Sequence, residues 1–362
     1  MIADVAVVGG GLAGAATALR LARAGHSVAL LERQAEPHDK VCGEFLSGDA
    51  VVELDGLGVD LAALGAVPIG RVRLRSGSLQ AEAALPFCAF GLSRRRLDEA
   101  LLHLCAGAGV LVRRGAAVHE LSENGSGIRL RGAGFEHLAD RAVLATGKHD
   151  LRGWRRGGAS GLIGLKLHLR LADGPQAVLA GTCELYLFEG GYAGLLPVEN
   201  GMANLCLVVT RDRYRALGHG WRAVIRSVPA LGPSLDRASP IQARPLAIAG
   251  MPYGYLAADE PSLRVYRVGD QAAVIPSFTG DGMAIALLSA RFAAAALLTG
   301  EEAPEHHRRL ASAVRRPLAW AGSIDTLAQG WCTRQLLLLA CRVAPMLIGR
   351  MALRTRAAPV GL

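Results

Sequence analysis

The chain has 362 residues, of which 51% are hydrophobic and 20% charged, and its 40 basic and 31 acidic residues give a formal net charge of +9. This composition is typical of a protein with a large core and excludes a disordered chain. The basic residues are almost all arginines, scattered without interleaved aromatics, so we expect no nucleic-acid binding; the charge fits anionic cofactors or acidic substrates instead.

The seven cysteines are widely spaced and form no C-x-x-C pair. The N-terminus runs directly into a strand-like segment and shows no charged region leading into a signal peptide. These features predict a reduced, cytoplasmic protein without a metal site.

A glycine-rich motif follows the first predicted strand. The strand, DVAVV at residues 4–8, leads into GGGLAG at residues 9–14, which fits G-x-G-x-x-G. An alanine-rich helix over residues 12–24 and a second strand over residues 27–31 come next. A strand, helix and strand in this register predict a dinucleotide-binding fold.

Specific residues of this motif are candidates for cofactor binding. Gly9 permits the tight turn, Gly11 lets a pyrophosphate approach the backbone, and Gly14 lets the helix pack closely on the strand. The N–H groups at the helix start attract phosphates. Glu32, which ends the second strand and precedes Arg33, is placed to accept hydrogen bonds from ribose hydroxyls. The motif alone does not distinguish FAD from NAD.

The pattern changes to alternating, turn-punctuated strands between residues 161 and 262. Residues 161–171, 182–198 and 202–210 are predicted strands, and Gly190-Gly191 indicates a turn. Together with residues 71–87 they predict an antiparallel sheet.

A second motif near residue 270 favours FAD. A predicted strand over residues 263–268 ends at Gly269-Asp270, and Gly280-Asp281-Gly282 precedes a helix that extends to about residue 298. The carboxylate of Asp270 can hold a ribityl hydroxyl. The helix N-terminus can stabilise the negative charge that collects at the N1 and C2 carbonyl edge of a reduced flavin.

Three segments carry a resemblance to a known family. Residues 268–294, VGDQAAVIPSFTGDGMAIALLSARFAA, closely resemble the distal flavin motif of the p-hydroxybenzoate hydroxylase superfamily, and in particular of its geranylgeranyl-reductase-like branch. Residues 92–98, LSRRRLD, resemble that family's short helix start, with Arg94 and Asp98 at the matching places. Residues 143–147, VLATG, resemble its third strand and turn near the flavin.

The resemblance implies an α/β fold in which an FAD-binding, doubly wound (glutathione-reductase-like) domain is interrupted by an antiparallel β-sheet substrate domain and followed by C-terminal helices. The expected FAD-binding segments are residues 1–70, 92–160 and 263–300. The expected substrate-domain segments are residues 71–91 and 161–262, and residues 301–362 form the C-terminal helices. The candidate cofactor-binding residues are Gly9, Gly11, Gly14, Glu32, Arg33, Arg94, Thr146, Gly147, Asp270, Pro276, Gly280, Gly282 and Met283.

The resemblance also implies a substrate pocket beneath the sheet. The candidate lining residues are Lys166, His168, Tyr186, Phe188, Tyr192, Leu196, Pro197 and Phe278. Residues of equal parity share a face of a strand, so Tyr186 and Phe188 point together, as do Lys166 and His168. The largely apolar set predicts a hydrophobic small-molecule substrate.

Cys42-Gly43-Glu44 resembles a stretch that geranylgeranyl-reductase-like proteins carry beside the isoalloxazine. The resemblance makes Cys42 and Glu44 the candidate catalytic residues. The alternative is a buried structural cysteine with a glutamate that caps the next helix.

Two departures from the superfamily matter. Its hydroxylases usually carry Asp-Gly in the middle motif, where Thr146-Gly147 stands here, so the electron donor is either NAD(P)H or an external reduced flavin from a flavin reductase. The W-x-W-x-I-P motif of the flavin-dependent halogenases is absent, which argues against halogenation.

The C-terminal stretch over residues 335–351 is apolar but interrupted by Arg342 and Pro345, so it is too short to span a bilayer. It predicts a helix packed on the body. Peripheral membrane contact is the alternative, because several arginines accompany the apolar residues.

These observations predict an FAD-dependent oxidoreductase of a hydrophobic metabolite. A monooxygenase that hydroxylates or epoxidises an aromatic, polyketide-type or other secondary metabolite is favoured. The first alternative is a C=C reductase or dehydrogenase of the geranylgeranyl-reductase type, to which Cys42-Gly43-Glu44 points. The second is a non-catalytic, membrane-associated flavoprotein.

Overall fold

A computed structural model describes residues 3–125, 127–158, 160–258 and 261–357. The strands of this part of the chain are β1 (Ala3–Val8), β2 (Val28–Glu32), β3 (Phe45–Leu46), β4 (Val67–Ser76), β5 (Leu79–Gly91), β6 (Leu111–Arg114), β7 (Val118–Asn124), β8 (Gly127–Gly132), β9 (Phe135–Leu144), β10 (Leu162–Arg170), β11 (Thr182–Phe188), β12 (Gly191–Val198), β13 (Met202–Thr210), β14 (Ser239–Pro240), β15 (Leu246–Ala249) and β16 (Val265–Arg267). Its α-helices are α1 (Leu12–Arg23), α2 (Gly48–Gly56), α3 (Arg94–Gly107), α4 (Asp173–Leu179), α5 (Arg211–Ala216), α6 (Trp221–Arg226), α7 (Gly282–Thr299), α8 (Ala303–Gln329), α9 (Trp331–Val343) and α10 (Met346–Arg354).

The first sheet holds the glycine-rich motif. Its order is β6-β2-β1-β9-β8-β7, with β16 also paired to β9. Strands β6, β2, β1, β9 and β16 run parallel, while β7 and β8 continue from β9 as an antiparallel meander. All five residues of β2 are buried, as expected for a parallel strand covered on both faces. The predicted FAD-binding, doubly wound domain is confirmed.

The second sheet has the order β14-β10-β13-β12-β11-β4-β5-β3, with β15 on β10. Neighbouring strands are antiparallel except for β4 and β11, which run parallel. The predicted antiparallel sheet is therefore right apart from this pair, because the β4–β5 hairpin comes from a separate stretch of chain and docks beside β11. Strand β4 begins at Val67, ahead of the expected boundary at residue 71, and β3 also joins this sheet.

The described part of the C-terminal segment forms three helices, and the helix predicted over residues 335–351 is divided between α9 and α10. Helix α8 packs on α7 and β16, and α9 and α10 pack across β4 and β5. The axes of α9 and α10 differ by 116° at a break that contains Pro345, which has no backbone N–H with which to continue α9. Among the helices of the described residues, α7 is long and apolar enough to cross a membrane, but 61% of it is buried inside the molecule; α9 and α10 pass the same test only if they are taken together.

Candidate active site

A cavity of about 740 Å³ lies between the carboxyl ends of the parallel strands and the inner face of the second sheet. Its volume is within the range of cofactor and ligand clefts. The predicted residues that line it are Gly9, Gly11, Glu32, Arg33, Cys42, Glu44, Arg94, Thr146, Gly147, Asp270, Gly280, Gly282 and Met283. The structure therefore brings together residues from five separate stretches of the chain.

Two glycines of the first motif have no room for a side chain. Gly9 has φ +111°, and a Cβ there would lie 2.4 Å from the carbonyl oxygen of Ala145. A Cβ on Gly14 would lie 2.0 Å from the carbonyl oxygen of Gly9. Both distances are shorter than van der Waals contact, so these glycines let β1, β9 and α1 meet closely. Gly14 thus packs behind the cavity wall rather than lining the cavity.

Gly11 faces two cations at the start of α1. A Cβ on Gly11 would meet Lys40 Nζ at 3.2 Å and Arg94 Nη2 at 3.5 Å. Both cations contact the buried Asp98, Lys40 Nζ at 2.7 Å and the Arg94 guanidinium at 2.9 Å. Two positive charges share one carboxylate, so a net positive charge remains beside the helix N-terminus, which suits a pyrophosphate.

The surroundings of Arg94 and Asp98 keep both side chains charged. Burial would lower the pKa of Arg94, but Asp98 and Cys42 raise it overall. Burial would raise the pKa of Asp98, but Arg94 and Lys40 lower it overall. Both groups therefore stay ionised across the physiological pH range.

Glu32 is oriented by backbone amides. Its Oε2 accepts a hydrogen bond from the N–H of Gly10 at 2.7 Å, and its Oε1 accepts one from the N–H of Gln34 at 2.9 Å. A carboxylate has about four lone-pair sites, so two remain for the hydroxyls of a ribose. Arg33 lies beside it and is exposed.

The turn that follows strand β9 and the second motif, near residue 270, meet at the next part of the cavity wall. Gln271 Nε2 donates to the carbonyl oxygen of Gly147 at 2.8 Å. The hydroxyl of Thr146 donates to the carbonyl oxygen of His149 at 2.6 Å and so holds this turn internally. Asp270 Oδ2 lies 3.5 Å from Lys148 Nζ, and its carboxylate is one quarter exposed and available to a ligand hydroxyl.

The N-terminus of α7 points into the cavity. Gly280 has φ +77°, and Gly282 and Met283 follow it on the cavity wall, whereas Pro276 is buried behind this turn. The side chain of Asp281 does not face the cavity; it accepts from the Thr355 hydroxyl at 2.9 Å and from Arg356 Nη1 at 2.6 Å. The N–H groups of α7 are thus left to the ligand.

These features fit FAD on grounds of shape and charge. Glu32 and Asp270 place one carboxylate on either side of the phosphate-binding region, and the N-terminus of α7 lies at the far end of this series of groups. Cβ atoms added to Gly43, Gly147 and Gly282 would meet no protein atom within 4 Å, so open space is available along the wall.

Glu44 is buried against the second sheet. Its Oε1 accepts from Lys166 Nζ at 2.5 Å and from the N–H of Arg94 at 2.9 Å, and its Oε2 lies 2.7 Å from His168 Nε2. Glu44 has φ +60°, a conformation that costs a residue other than glycine on the order of 1 kcal/mol. The sequence predicts a catalytic role, but this carboxylate has the contacts of a group that holds the loop on the sheet.

Asp39, Glu44 and His168 bring ligand atoms within 4.8 Å of one another, as a metal site would. Lys166 Nζ lies 2.5 Å from Glu44 and 3.6 Å from Asp39. The ammonium therefore supplies the positive charge that a metal ion would bring to this cluster.

Cys42 lies on the cavity wall next to this anchored glutamate. Its Sγ accepts from the N–H of Glu44 at 3.4 Å. The buried Asn204 donates from Nδ2 to the carbonyl oxygens of Cys42 at 3.0 Å and Gly43 at 2.8 Å. The loop that carries the thiol is consequently held by contacts from two strands of the second sheet, β10 and β13.

The predicted substrate-lining residues separate onto two faces of the second sheet. Tyr186 and Phe188 share a face, as predicted, but it is the outer one, where they pack under α6 and the turns that follow it. The hydroxyl of Tyr186 is bonded there to Glu184 and Ser234. These two side chains point away from the cavity because the cavity lies at even-numbered positions of β10 and β13 and not at even positions of β11.

Most of the remaining predicted residues lie nearer but behind the wall. Lys166 and His168 share the inner face and bind Glu44. Leu196 packs against Ile69 and neighbouring apolar side chains, whereas Pro197, paired with Ala203, lies on the outer face of the sheet. Tyr192 and Phe278 pack edge to face with their ring centres 6.0 Å apart.

The apolar end of the cavity is formed by residues that the sequence did not single out. They come from β10, β13, β15 and the loops before β3 and after β15, namely Val41, Gly164, Cys206, Val208, Leu246, Ala247, Ile248, Met251 and Pro252. In the sequence, only their positions on the inward-facing side of the strands and the apolar edge strand β15 could have indicated them.

A group of three hydroxyls ends this region. Tyr253 and Ser277 line the cavity, and the Ser277 hydroxyl is hydrogen-bonded to the hydroxyls of both Tyr253 and Tyr192. Burial raises the pKa of each tyrosine, so both remain neutral donors. Three distant segments contribute to the group, and no sequence pattern connects them.

Comparisons with known proteins agree with this geometry. A family model described as FAD dependent oxidoreductase matches residues 4–41. The menaquinone reductase of Mycolicibacterium smegmatis is 25% identical over 82% of this chain and 77% of its own length. The digeranylgeranylglycerophospholipid reductase of Methanoculleus marisnigri is 27% identical over 80% of this chain and 75% of its own length.

Solved structures share the fold. A flavoprotein/dehydrogenase from Cytophaga hutchinsonii superposes with a TM-score of 0.80 at 18% identity, over 96% of this chain and 92% of that one. A variant of the halogenase PltM in complex with FAD superposes with a TM-score of 0.74 at 16% identity, over 91% and 76%. The resemblance to the p-hydroxybenzoate hydroxylase and geranylgeranyl reductase superfamily is confirmed.

Proposed function

We propose that this FAD-dependent oxidoreductase is a reductase of carbon–carbon double bonds in an apolar, lipid-type substrate. The observation that carries the proposal is the position of Cys42. Its thiol lies on the wall where the dinucleotide-binding end of the cavity meets the apolar end. Similarity to a menaquinone reductase and to a digeranylgeranylglycerophospholipid reductase, each over about four fifths of the chain, supports a reductase of this substrate class.

FAD, when bound and reduced, supplies a hydride equivalent to one carbon of the double bond. The other carbon then needs a proton, and the thiol of Cys42 is the proposed donor, regenerated from solvent. The contacts of Asn204 and Glu44 with the Cys42 loop hold the thiol in a fixed position. The product gains two hydrogen atoms in total.

The wall around Cys42 provides substrate binding. Val208, Ile248 and Met251 exclude water and accept an apolar chain. The hydroxyls of Tyr253 and Ser277 can donate to a polar group of the substrate, such as a carbonyl oxygen. We propose that these two groups orient the substrate while the apolar wall supplies most of the affinity.

A monooxygenase is the second candidate, and the sequence favours it. The paired hydroxyls of Tyr253 and Ser277 beside an apolar wall also fit an aromatic ring that carries a hydroxyl group. The two reactions differ in the atoms that the product gains, namely two hydrogens or one oxygen.

The test is a single turnover with a menaquinone that has an unsaturated isoprenoid tail, and with a geranylgeranyl ether lipid. Dithionite replaces the unknown electron donor. We expect a product with two additional hydrogens to form under nitrogen, as measured by mass spectrometry. A product that forms only with O₂ and carries ¹⁸O from labelled gas would establish the monooxygenase, and flavin that is reoxidised only by O₂ with no lipid product would refute the reductase.

A further inference from the structure

The exposed apolar side chains of this protein are concentrated near its C-terminus. In the described part of the chain, seven of the fifteen exposed large hydrophobic residues fall within residues 327–353. Trp331 is 69% exposed and Val343 is 79% exposed. Leu336, Leu339 and Val343 are three and four residues apart, so they form one stripe along α9. The residues of this C-terminal apolar surface are Leu327, Trp331, Leu336, Leu339, Val343, Met346 and Leu353.

The charged residues of the C-terminal segment itself have one sign. Residues 326–362 contain five arginines and no aspartate, glutamate or lysine. Arg334 is buried and Arg356 is paired with Asp281, whereas Arg342, Arg350 and Arg354 are exposed. An exposed apolar stripe with arginines and without acids is complementary to the headgroups of anionic lipids.

The buried side of the same helices belongs to a hydrophobic cluster that reaches the cavity wall. Leu338, Cys341 and Ile348 are buried in one hydrophobic cluster with Val208 and Met251. The latter two residues line the apolar end of the cavity. The C-terminal apolar surface therefore lies on helices whose buried side packs in the same cluster as part of the cavity wall.

We propose that α9 and α10 dock this protein onto the surface of an anionic lipid bilayer through the C-terminal apolar surface. The apolar side chains enter the interface between headgroups and acyl chains, and Arg342, Arg350 and Arg354 contact lipid phosphates. The proposal is a docking at the interface and not a crossing, because α9 has 13 residues and α10 has 9, each fewer than the roughly 20 of a span, and their axes differ by 116°. The proposal concerns a surface and holds whichever reaction the cavity catalyses.

Vesicle co-sedimentation of the FAD-loaded protein tests the docking. We expect binding to vesicles with about 30% phosphatidylglycerol, and weaker binding to pure phosphatidylcholine or in about 0.5 M salt. A variant with Leu336→Gln, Leu339→Gln and Val343→Gln should bind at least about tenfold more weakly. Its control is Val52→Gln with Val178→Gln, which removes exposed valines elsewhere and should bind like the wild type.

Two double arginine variants separate the electrostatic contribution to vesicle binding from the apolar one. Arg342→Gln with Arg350→Gln should lose most of the preference for anionic vesicles, whereas Arg222→Gln with Arg226→Gln on α6 should keep it. Lipids brominated on their acyl chains should quench the tryptophan fluorescence of the wild type, and Trp331→Phe should lose most of that quenching.

Three results would overturn the proposal. The first is wild-type vesicle binding by the triple glutamine variant, and the second is equal binding to neutral and anionic vesicles. The third is no vesicle binding by a wild-type protein that self-associates in light scattering while the triple variant is monomeric; that result would assign the surface to a second copy of the chain. All readouts are independent of turnover, so they do not depend on the reductase proposal.

Discussion

At the scale of single residues, Gly11 and Gly25 form a matched pair at opposite ends of α1. A side chain on Gly11 would project toward Lys40 and Arg94, where the pyrophosphate is expected, while one on Gly25 would meet no atom within 4 Å. We expect Gly11→Val to abolish FAD binding. Gly25→Ala should retain FAD and lose on the order of 1 kcal/mol of stability, because Gly25 has φ +91°. Heat-released flavin per protein measures the first effect and the unfolding midpoint the second; stoichiometric FAD in the Gly11 variant would refute the role of this motif.

Cys42→Ala tests the proton donor. The substitution is small and its loop is held by Asn204 and Glu44, so the fold and flavin content should survive. If the thiol donates the proton, the kcat of the reductase should fall on the order of a hundredfold with little change in KM. A monooxygenase should lose less and release more peroxide. Unchanged rates and coupling would leave Cys42 with a packing role only.

Glu44 belongs to the same segment, but the structure gives it a different expected phenotype. Glu44→Gln removes the negative charge from the buried ammonium of Lys166, and breaking such a pair costs about 3–5 kcal/mol. The sequence alone suggests that this variant folds normally. We now expect a clear loss of stability, partly recovered when Lys166→Met is added, because the double variant no longer buries an ammonium without Glu44, although Asp39 also loses its contact with Lys166. Additive losses in urea unfolding would show that the two side chains act independently.

At the scale of elements, the start of α7 contains a buried acid with an unusual pKa. Burial raises the pKa of Asp281 to about 7, although Arg356 and Thr355 act in the opposite direction. The folded state therefore binds this proton more tightly than the unfolded state, whose aspartate has a pKa of about 3.9. The stabilisation from the protonated acid is complete below about pH 4 and is lost as the pH rises to about 7.

Asp281→Asn should remove this dependence. Between pH 5 and pH 8 the stability of the variant should rise by on the order of 3 kcal/mol relative to that of the wild type, on top of a pH-independent loss because Arg356 no longer faces a carboxylate. Unfolding midpoints measured at both pH values provide the test, and the control is Asp212→Asn on α5, whose carboxylate is 92% exposed. Parallel pH profiles for Asp281→Asn and the wild type would contradict the assignment.

At the scale of the whole molecule, the two-sheet fold contains a single glycine-rich nucleotide-binding motif. Only residues 9–14 fit G-x-G-x-x-G in the manner of a dinucleotide site. The hydroxyl of Thr146, which replaces the usual aspartate, is bonded within its own turn. We therefore expect NAD(P)H to bind weakly without substrate, in titration calorimetry of the FAD-loaded protein. A low-micromolar Kd for NADPH would show that the chain has a site that the sequence does not reveal, whereas reduction by an external flavin reductase would agree with weak binding.

Local patterns determined much of this protein. The glycine motif, the strand that ends at Glu32 and the turn at Gly280 are encoded within short windows, because turn geometry and strand periodicity depend on adjacent residues. These windows predict the FAD-binding fold, and the structure brings their residues to one cavity. They also predict that Tyr186 and Phe188 share a face of their strand, but not which face.

Only the tertiary structure decided which side chains each face of the second sheet contacts. The inner face of the second sheet depends on how a separate hairpin, β4–β5, docks parallel to β11. Glu44 finds Lys166 and His168 more than a hundred residues away, and Tyr253 meets Tyr192 through Ser277. Such contacts are set by the packing of distant elements, which a local window does not contain. The sequence by itself determined the cofactor and the fold, and the packing of the two sheets decided which side chains reach the apolar end of the cavity.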